Sequence, residues 1–206
     1  MYDFSVTMAL VDYIPVLFFG YAAALLQRDL YNKMSKSSFA LFAAGTINVF
    51  AAGFLKATWK LLYAAGICDF AALNTLFMPV QSIGFLLLGI GLLWMLVKKQ
   101  HCTLLLAAPP VFSGTFVFIG MMVAGLGFMC SVLAVLAAKM KKKSAVVLFA
   151  LAFVGSMGMG YLSSRDFTTA AANWIAQLTN CLAQGTLLAG VLILDKAGLQ
   201  NWKQEA

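Results

Sequence analysis

QHCTLLLAAPPVFSGT, residues 100–115, decides how many times this chain crosses a membrane. The stretch is apolar but short. Pro109 and Pro110 break any helix through it, because proline has no amide hydrogen to donate and clashes with the preceding turn. Around it the reading is simpler. A span takes about 20 mostly apolar residues, and six stretches qualify, at roughly 5–27, 37–62, 70–97, 116–138, 144–162 and 168–194.

The basic residues arbitrate, since cytoplasmic loops collect lysine and arginine. They fall in six groups: Arg28, Lys33 and Lys36; Lys56 and Lys60; Lys98 and Lys99; Lys139 and Lys141 to Lys143; Arg165; Lys196 and Lys203. If residues 100–115 cross, eleven of the fourteen lie on one side against three; if they do not, the split is six against eight. The sequence therefore predicts an all-α, polytopic transmembrane bundle of seven spans, with the N-terminus outside and the C-terminus cytoplasmic. Six spans with a re-entrant 100–115 segment is the alternative, and it leaves the termini where they are.

Composition bounds the class independently. The chain of 206 residues is 63% hydrophobic and 10% charged, with a mean hydropathy of +0.92. Soluble domains carry about 25% charged residues, so a water-soluble fold is excluded. The net charge of +7 is scattered between apolar runs rather than gathered on one helix face, which suits anionic lipid and not nucleic acid. Cys68, Cys102, Cys130 and Cys181 form no C-x-x-C pair and read as small hydrophobes. The N-terminus has no basic leader and carries Asp3 and Asp12, so it reads as a retained first span. Compactness points to a single membrane domain over 1–206 in a bacterial inner membrane.

A faint internal echo divides that domain. KMSKSSFALFA at 33–43 matches KMKKKSAVVLFA at 139–150, and each continues to a tyrosine and an Asp-Phe step, Tyr63 with Asp69-Phe70 and Tyr161 with Asp166-Phe167. Residues 1–97 would form one three-helix repeat, 98–115 a linker helix and 116–206 a second repeat. An odd linking span is what keeps two such halves parallel. Together with Trp59, Tyr63, Asp69 and Asn74 in that order, this three-plus-one-plus-three plan resembles the SWEET and PQ-loop transporters. The chain departs from them in having no Pro-Gln dipeptide, only Pro15 among the kinking prolines, and no tryptophan before Tyr161. The resemblance implies that Asn74 and one of Asn173 or Asn180 face substrate.

The last span carries the clearest polar pattern. Asp166, Thr169, Asn173, Gln177, Asn180 and Gln184 recur at helical spacing and share one stripe. Unpaired amides are costly in hydrocarbon, so this stripe faces protein or water. Asn74 and Gln81 align on the third span, and Trp59 and Trp174 stand at a similar outer depth. Asp12 and Lys56 match in height for an intramembrane ion pair that would gate or couple. Amide stripes also hold helices together, and belt positions suit tryptophan, so packing and interfacial roles stay open for these residues.

Catalytic chemistry finds no foothold. His101 is the only histidine and sits beside Lys98 and Lys99; Glu205 is at the C-terminus; Asp12 has no second acid near it. No metal site, nucleophile elbow, phosphate loop or cofactor motif appears. The expected function is transport or channelling of a small polar solute, bound in an outward-facing cavity by Asn74, Gln81, Asn173, Gln177, Asn180 and Gln184 with stacking on Trp59 and Trp174. The alternatives are a ligand sensor or partner subunit without transport, and a structural bundle. Expected partners are the lipid bilayer, the solute, and a second copy or another membrane protein.

Overall fold

A computed structural model describes residues 5–96, 115–163 and 170–202. Every regular element among these residues is helical. The order is α1 (Val6–Val11), α2 (Tyr13–Leu30), α3 (Lys36–Ala64), α4 (Ala71–Thr75), α5 (Phe77–Leu96), α6 (Thr115–Lys139), α7 (Lys143–Ser163) and α8 (Ala170–Lys196), then a 3-10 turn at Leu199–Asn201. Five helical stretches, Val6–Leu30, Lys36–Ala64, Ala71–Leu96, Phe116–Lys139 and Ala170–Lys196, are long and apolar enough to cross a membrane, and Lys143–Met159 is a shorter apolar one. The stretch 100–115 lies outside the described residues apart from Thr115, as do the rest of the 98–115 linker, His101, Cys102, and Asp166 and Thr169 at the head of the polar stripe.

Local chemistry sets the helix ends. The Ser35 hydroxyl accepts from the Ser38 amide at 3.2 Å and starts α3. Gly66, at φ 68°, ends it, with the Ile67 amide reaching back to the Leu62 carbonyl at 3.0 Å. The break between α1 and α2 falls at Asp12, three residues before Pro15, which cannot donate an amide to the turn behind it.

The helices form a closed ring. α2 packs on α3, α3 on α5, α5 on α6, α6 on α7, α7 on α8, and α8 returns to α2. At one end, here the basic end, Arg28 of α2 bridges Asp29 and Asp195 of α8, and the Lys33 ammonium donates to the carbonyls of Gln200 and Trp202. Burial pulls the Lys33 ammonium below the ordinary lysine range, with Asp29 opposing the shift. α2 and α8 thus run in the same direction and finish together. So do α5 and α6: a Cβ on Gly125 would overlap the backbone of Phe85, while one on Gly89 would strike Gly125 and Phe128 further along. The ring consists of two triplets, α2–α3–α5 and α6–α7–α8, each starting from the opposite end, the α1 end.

The two triplets share a burial register. From Phe19 onward α2 buries Phe19, Ala22, Ala23, Leu25, Leu26, Asp29 and Leu30; from Leu126 onward α6 buries Leu126, Met129, Cys130, Val132, Leu133, Leu136 and Ala137. The spacing is identical. The same shift carries Phe42 and Asn48 of α3 to Phe149 and Gly155 of α7, and a second constant shift carries Gly84 and Gly91 of α5 to Ala183 and Gly190 of α8. Phe42 meets Gly91 as Phe149 meets Gly190, and Asn48 meets Gly84 as Gly155 meets Ala183. Even the closing seams correspond, with Gly125 against Leu86 answered by Phe18 against Gly185. Under this register Tyr161 falls opposite Phe54 and not opposite Tyr63, the partner matched on sequence.

Most of the dry core lies toward the basic end. Leu88, Leu92, Leu133, Leu136, Val191 and Leu194 fill the ring there, and Ser38 ties α3 to α5 by donating to the Gly91 carbonyl at 2.6 Å. A Cβ on Gly45 would overlap the backbone of α5 at Gly84 and Leu88; glycine is what lets these two helices approach so closely. The outer surface is apolar, with stripes such as Val147, Leu151 and Val154 on α7 and Ile175, Leu178 and Leu182 on α8 exposed. Such a surface is suited to lipid.

Candidate functional site

Toward the α1 end the ring opens around a cavity of about 700 Å3. Its volume falls within the range of small-molecule sites, about 300–1,000 Å3. All six long helices contribute to its wall, from Pro15 and Val16 on α2 to Ile119 and Met122 on α6 and Met157 on α7. Its floor is aromatic and aliphatic: Phe19 and Phe85 meet edge to face with ring centres 6.0 Å apart, beside Val49 and Leu126. Below that floor begins the dry core.

Five of the six carboxamides singled out in the sequence reach this cavity. Asn74 and Gln81 come from the α4–α5 arm, and Gln177, Asn180 and Gln184 from α8. Asn173 is buried one turn above, outside the wall. Gln177 also reaches the break between α1 and α2: its Nε2 donates to the Met8 carbonyl at 2.8 Å. That bond fixes the orientation of the amide, because only the nitrogen can face a carbonyl. The other atom, Oε1, is buried without a partner, and so is Oε1 of Gln184.

The charged residues sit differently from the expected arrangement. Asp12 and Lys56 both line the cavity, but the ion pair of Asp12 is with Lys60, at 2.5 Å. Lys56, one turn toward the basic end, holds its ammonium 3.8 Å from the centre of the Phe77 ring. The reason is geometric. α3 continues past 62 to Ala64, and Lys60, one turn further out than Lys56, is the lysine that meets Asp12.

The two tryptophans stand outside the wall. Trp59 is buried with its indole nitrogen donating to Asp69 at 2.8 Å and its ring against Tyr63 at 5.9 Å. It ties the end of α3 to the loop before α4. Trp174 is half-buried and lies off the amide stripe. Residues that the sequence did not single out also line the cavity, among them Lys60, Ser156 and Tyr161, and the methionines Met78, Met122, Met157 and Met159. Methionine runs in apolar helices carry no positional signal of their own, since the residue fills irregular space anywhere in a core. Asp29 was hidden because the sequence ended the first span at 27, whereas α2 extends to Leu30.

Cys68, Cys130 and Cys181 are free thiols. Among the described residues no cluster of three or more His, Cys, Asp or Glu side chains is placed to hold a metal. The cavity therefore offers hydrogen-bonding amides, an ion pair, a lysine and polarisable methionine surface. No family model matches the chain, no curated protein matches it in sequence, and no solved structure matches its fold.

Proposed function

We propose that this chain is a seven-span membrane carrier, built as two parallel three-helix halves around one central cavity, which binds a small polar solute from the outside and moves it inward. The cavity carries this reading: six helices enclose it, amides line it, and apolar packing closes it toward the basic end. A structural bundle would gain stability by collapsing such a space.

Three observations support the topology. α5 ends at the basic end and α6 begins at the α1 end, which supports seven crossings over six. The shared burial register favours descent of the two triplets from one repeat. Arg28, Lys33, Lys36, Lys139, Lys141 to Lys143 and Lys196 lie at the basic end, against Lys56 and Lys60 toward the other, which favours a cytoplasmic basic end and an outer N-terminus. Parallel repeats around a midplane site are a recurrent plan for secondary transporters.

The roles follow the cavity wall. Asn74, Gln81, Gln177, Asn180 and Gln184 hydrogen-bond the solute, Asp12 with Lys60 forms the coupling or gating pair, and the Phe19–Phe85 floor is the inner barrier. Asn173 supports the stripe from above, and Trp59 and Trp174 serve packing. The chemistry is binding and translocation without bond making. Purified protein in liposomes tests this: counterflow of a labelled solute that also protects residue 180 from thiol labelling supports a carrier. Saturable protection without flux supports a sensor, and neither result leaves a structural bundle.

A further inference from the structure

The cavity is not electrically neutral. Asp12 and Lys60 cancel each other in their 2.5 Å pair. Lys56 remains. Its ammonium lies over the Phe77 ring, and among the described residues no carboxylate comes within ion-pair distance of it. An aromatic face offsets part of the cost of holding a cation in a low-dielectric wall, but an intramembrane charge that keeps no counterion is a functional feature by default.

The same cavity is lined by two glutamines whose side-chain oxygens have no donor. The inter-helix contacts fix the heights. Gln177 is level with Met8 and Gly185 with Phe18. On the other side of α2, Gly53 is level with Val16 and Thr58 with Tyr13, through the Tyr13–Thr58 hydroxyl bond of 2.9 Å. Lys56, between Gly53 and Thr58, therefore lies at a depth between Gln177 and Gln184. Lys56, Gln177 and Gln184 line one cavity, with Lys56 at a depth between the two glutamines, whose Oε1 atoms are buried without a partner.

We infer that the solute is a small organic carboxylate that also carries a hydrogen-bond donor: the carboxylate meets Lys56, and its hydroxyl or amino group donates to Gln177 and Gln184. This inference rests on the cavity reading and narrows it. A neutral polyol would satisfy the amides and leave Lys56 without a counterion; a simple fatty carboxylate would satisfy Lys56 and leave both glutamine oxygens unpaired. Met78 and Phe77 supply apolar wall for the carbon skeleton between the two ends.

The test places a single thiol at Asn180→Cys, with Cys68, Cys102, Cys130 and Cys181 replaced, in the otherwise intact chain. Two methanethiosulfonate reagents of similar size, one with a sulfonate and one with a trimethylammonium group, are applied from the α1 side, each rate scaled to its rate with free mercaptoethanol. The sulfonate is expected to be favoured on the order of fivefold. Lys56→Gln abolishes the preference, and Lys56→Arg keeps it. Protection by three- to six-carbon hydroxy- and amino-carboxylates is then compared with that by their primary amides and by their donor-free parent acids. A carboxylate that slows labelling at least tenfold more than its amide and its parent acid, with the difference lost in Lys56→Gln, is the expected result. Equal reagent rates, equal protection by the amides, or labelling that no carboxylate slows would overturn the anion assignment and leave the cavity standing. If the thiol introduced at position 180 reacts with neither reagent until the protein is unfolded in detergent, the cavity reading itself falls.

Discussion

Toward the basic end, Leu88, Leu92, Leu133, Leu136, Val191 and Leu194 are no more than 1% exposed; toward the α1 end, the same six helices surround about 700 Å3 of open space. The two ends differ in what fills the interior. Lipid tails give helices no hydrophobic reason to associate, so close packing has to hold the ring together. Glycines at 45, 84, 91 and 125 bring backbones together around the floor and below it, where Leu and Phe then interlock. Above it, amides, lysines and methionines replace leucine around the open space. Close packing is concentrated at one end and polar side chains at the other.

Substitutions that treat the two ends alike should expose that division. Phe149→Ala, in the packed end, is expected to cost about 3–5 kcal/mol through the cavity it leaves, while Met78→Ala, on the existing cavity wall, should cost below about 1.5 kcal/mol. Thermal unfolding of purified protein in one detergent reads both, and equal losses would erase the distinction. Gly125→Leu should cost about 3 kcal/mol by forcing α5 from α6. Gly120→Leu, five residues earlier on the same helix with nothing within 4 Å of its added Cβ, should stay within about 0.5 kcal/mol.

Finer changes sharpen the comparison inside the open end. Lys60→Met leaves Asp12 without its partner and should cost about 2 kcal/mol, with the Asp12→Asn, Lys60→Met double variant recovering most of it. The corresponding double variant with Lys56→Met in place of Lys60→Met should show no such recovery. The smallest effect is expected from Trp59→Phe, which loses the 2.8 Å bond to Asp69: about 1 kcal/mol in unfolding, with thiol accessibility at 180 unchanged.

The helices were legible because hydropathy measures what a span requires, and the amide stripe because a 3.6-residue period is independent of neighbours. What escaped depended on partners. Arg28 and Asp29 fall beyond the span read at 5–27, but Arg28 joins Asp29 to Asp195, and α2 continues through them to Leu30. Height matching from the span ends paired Asp12 with Lys56; α3 runs on to Ala64, and the pair forms one turn further out, with Lys60. Trp59 faces the Asp69 loop because Gly66 folds the chain back over it, a consequence of one residue's positive φ. The two triplets share little residue identity but bury the same positions along α2 and α6, because burial records where bulk is placed and not which residue supplies it.

The central claim is that one end of the ring is open to water and the other is dry. Single cysteines along α8 at 177, 180, 184, 187 and 191, probed by an impermeant thiol reagent from each side of the membrane, test it most directly. The account predicts labelling at 177, 180 and 184 from the α1 side, and none at 187 or 191 from either side. A stripe that resists labelling throughout, yet reacts once the protein is unfolded, would mean that these amides are a packing seam and that the chain holds no solute there.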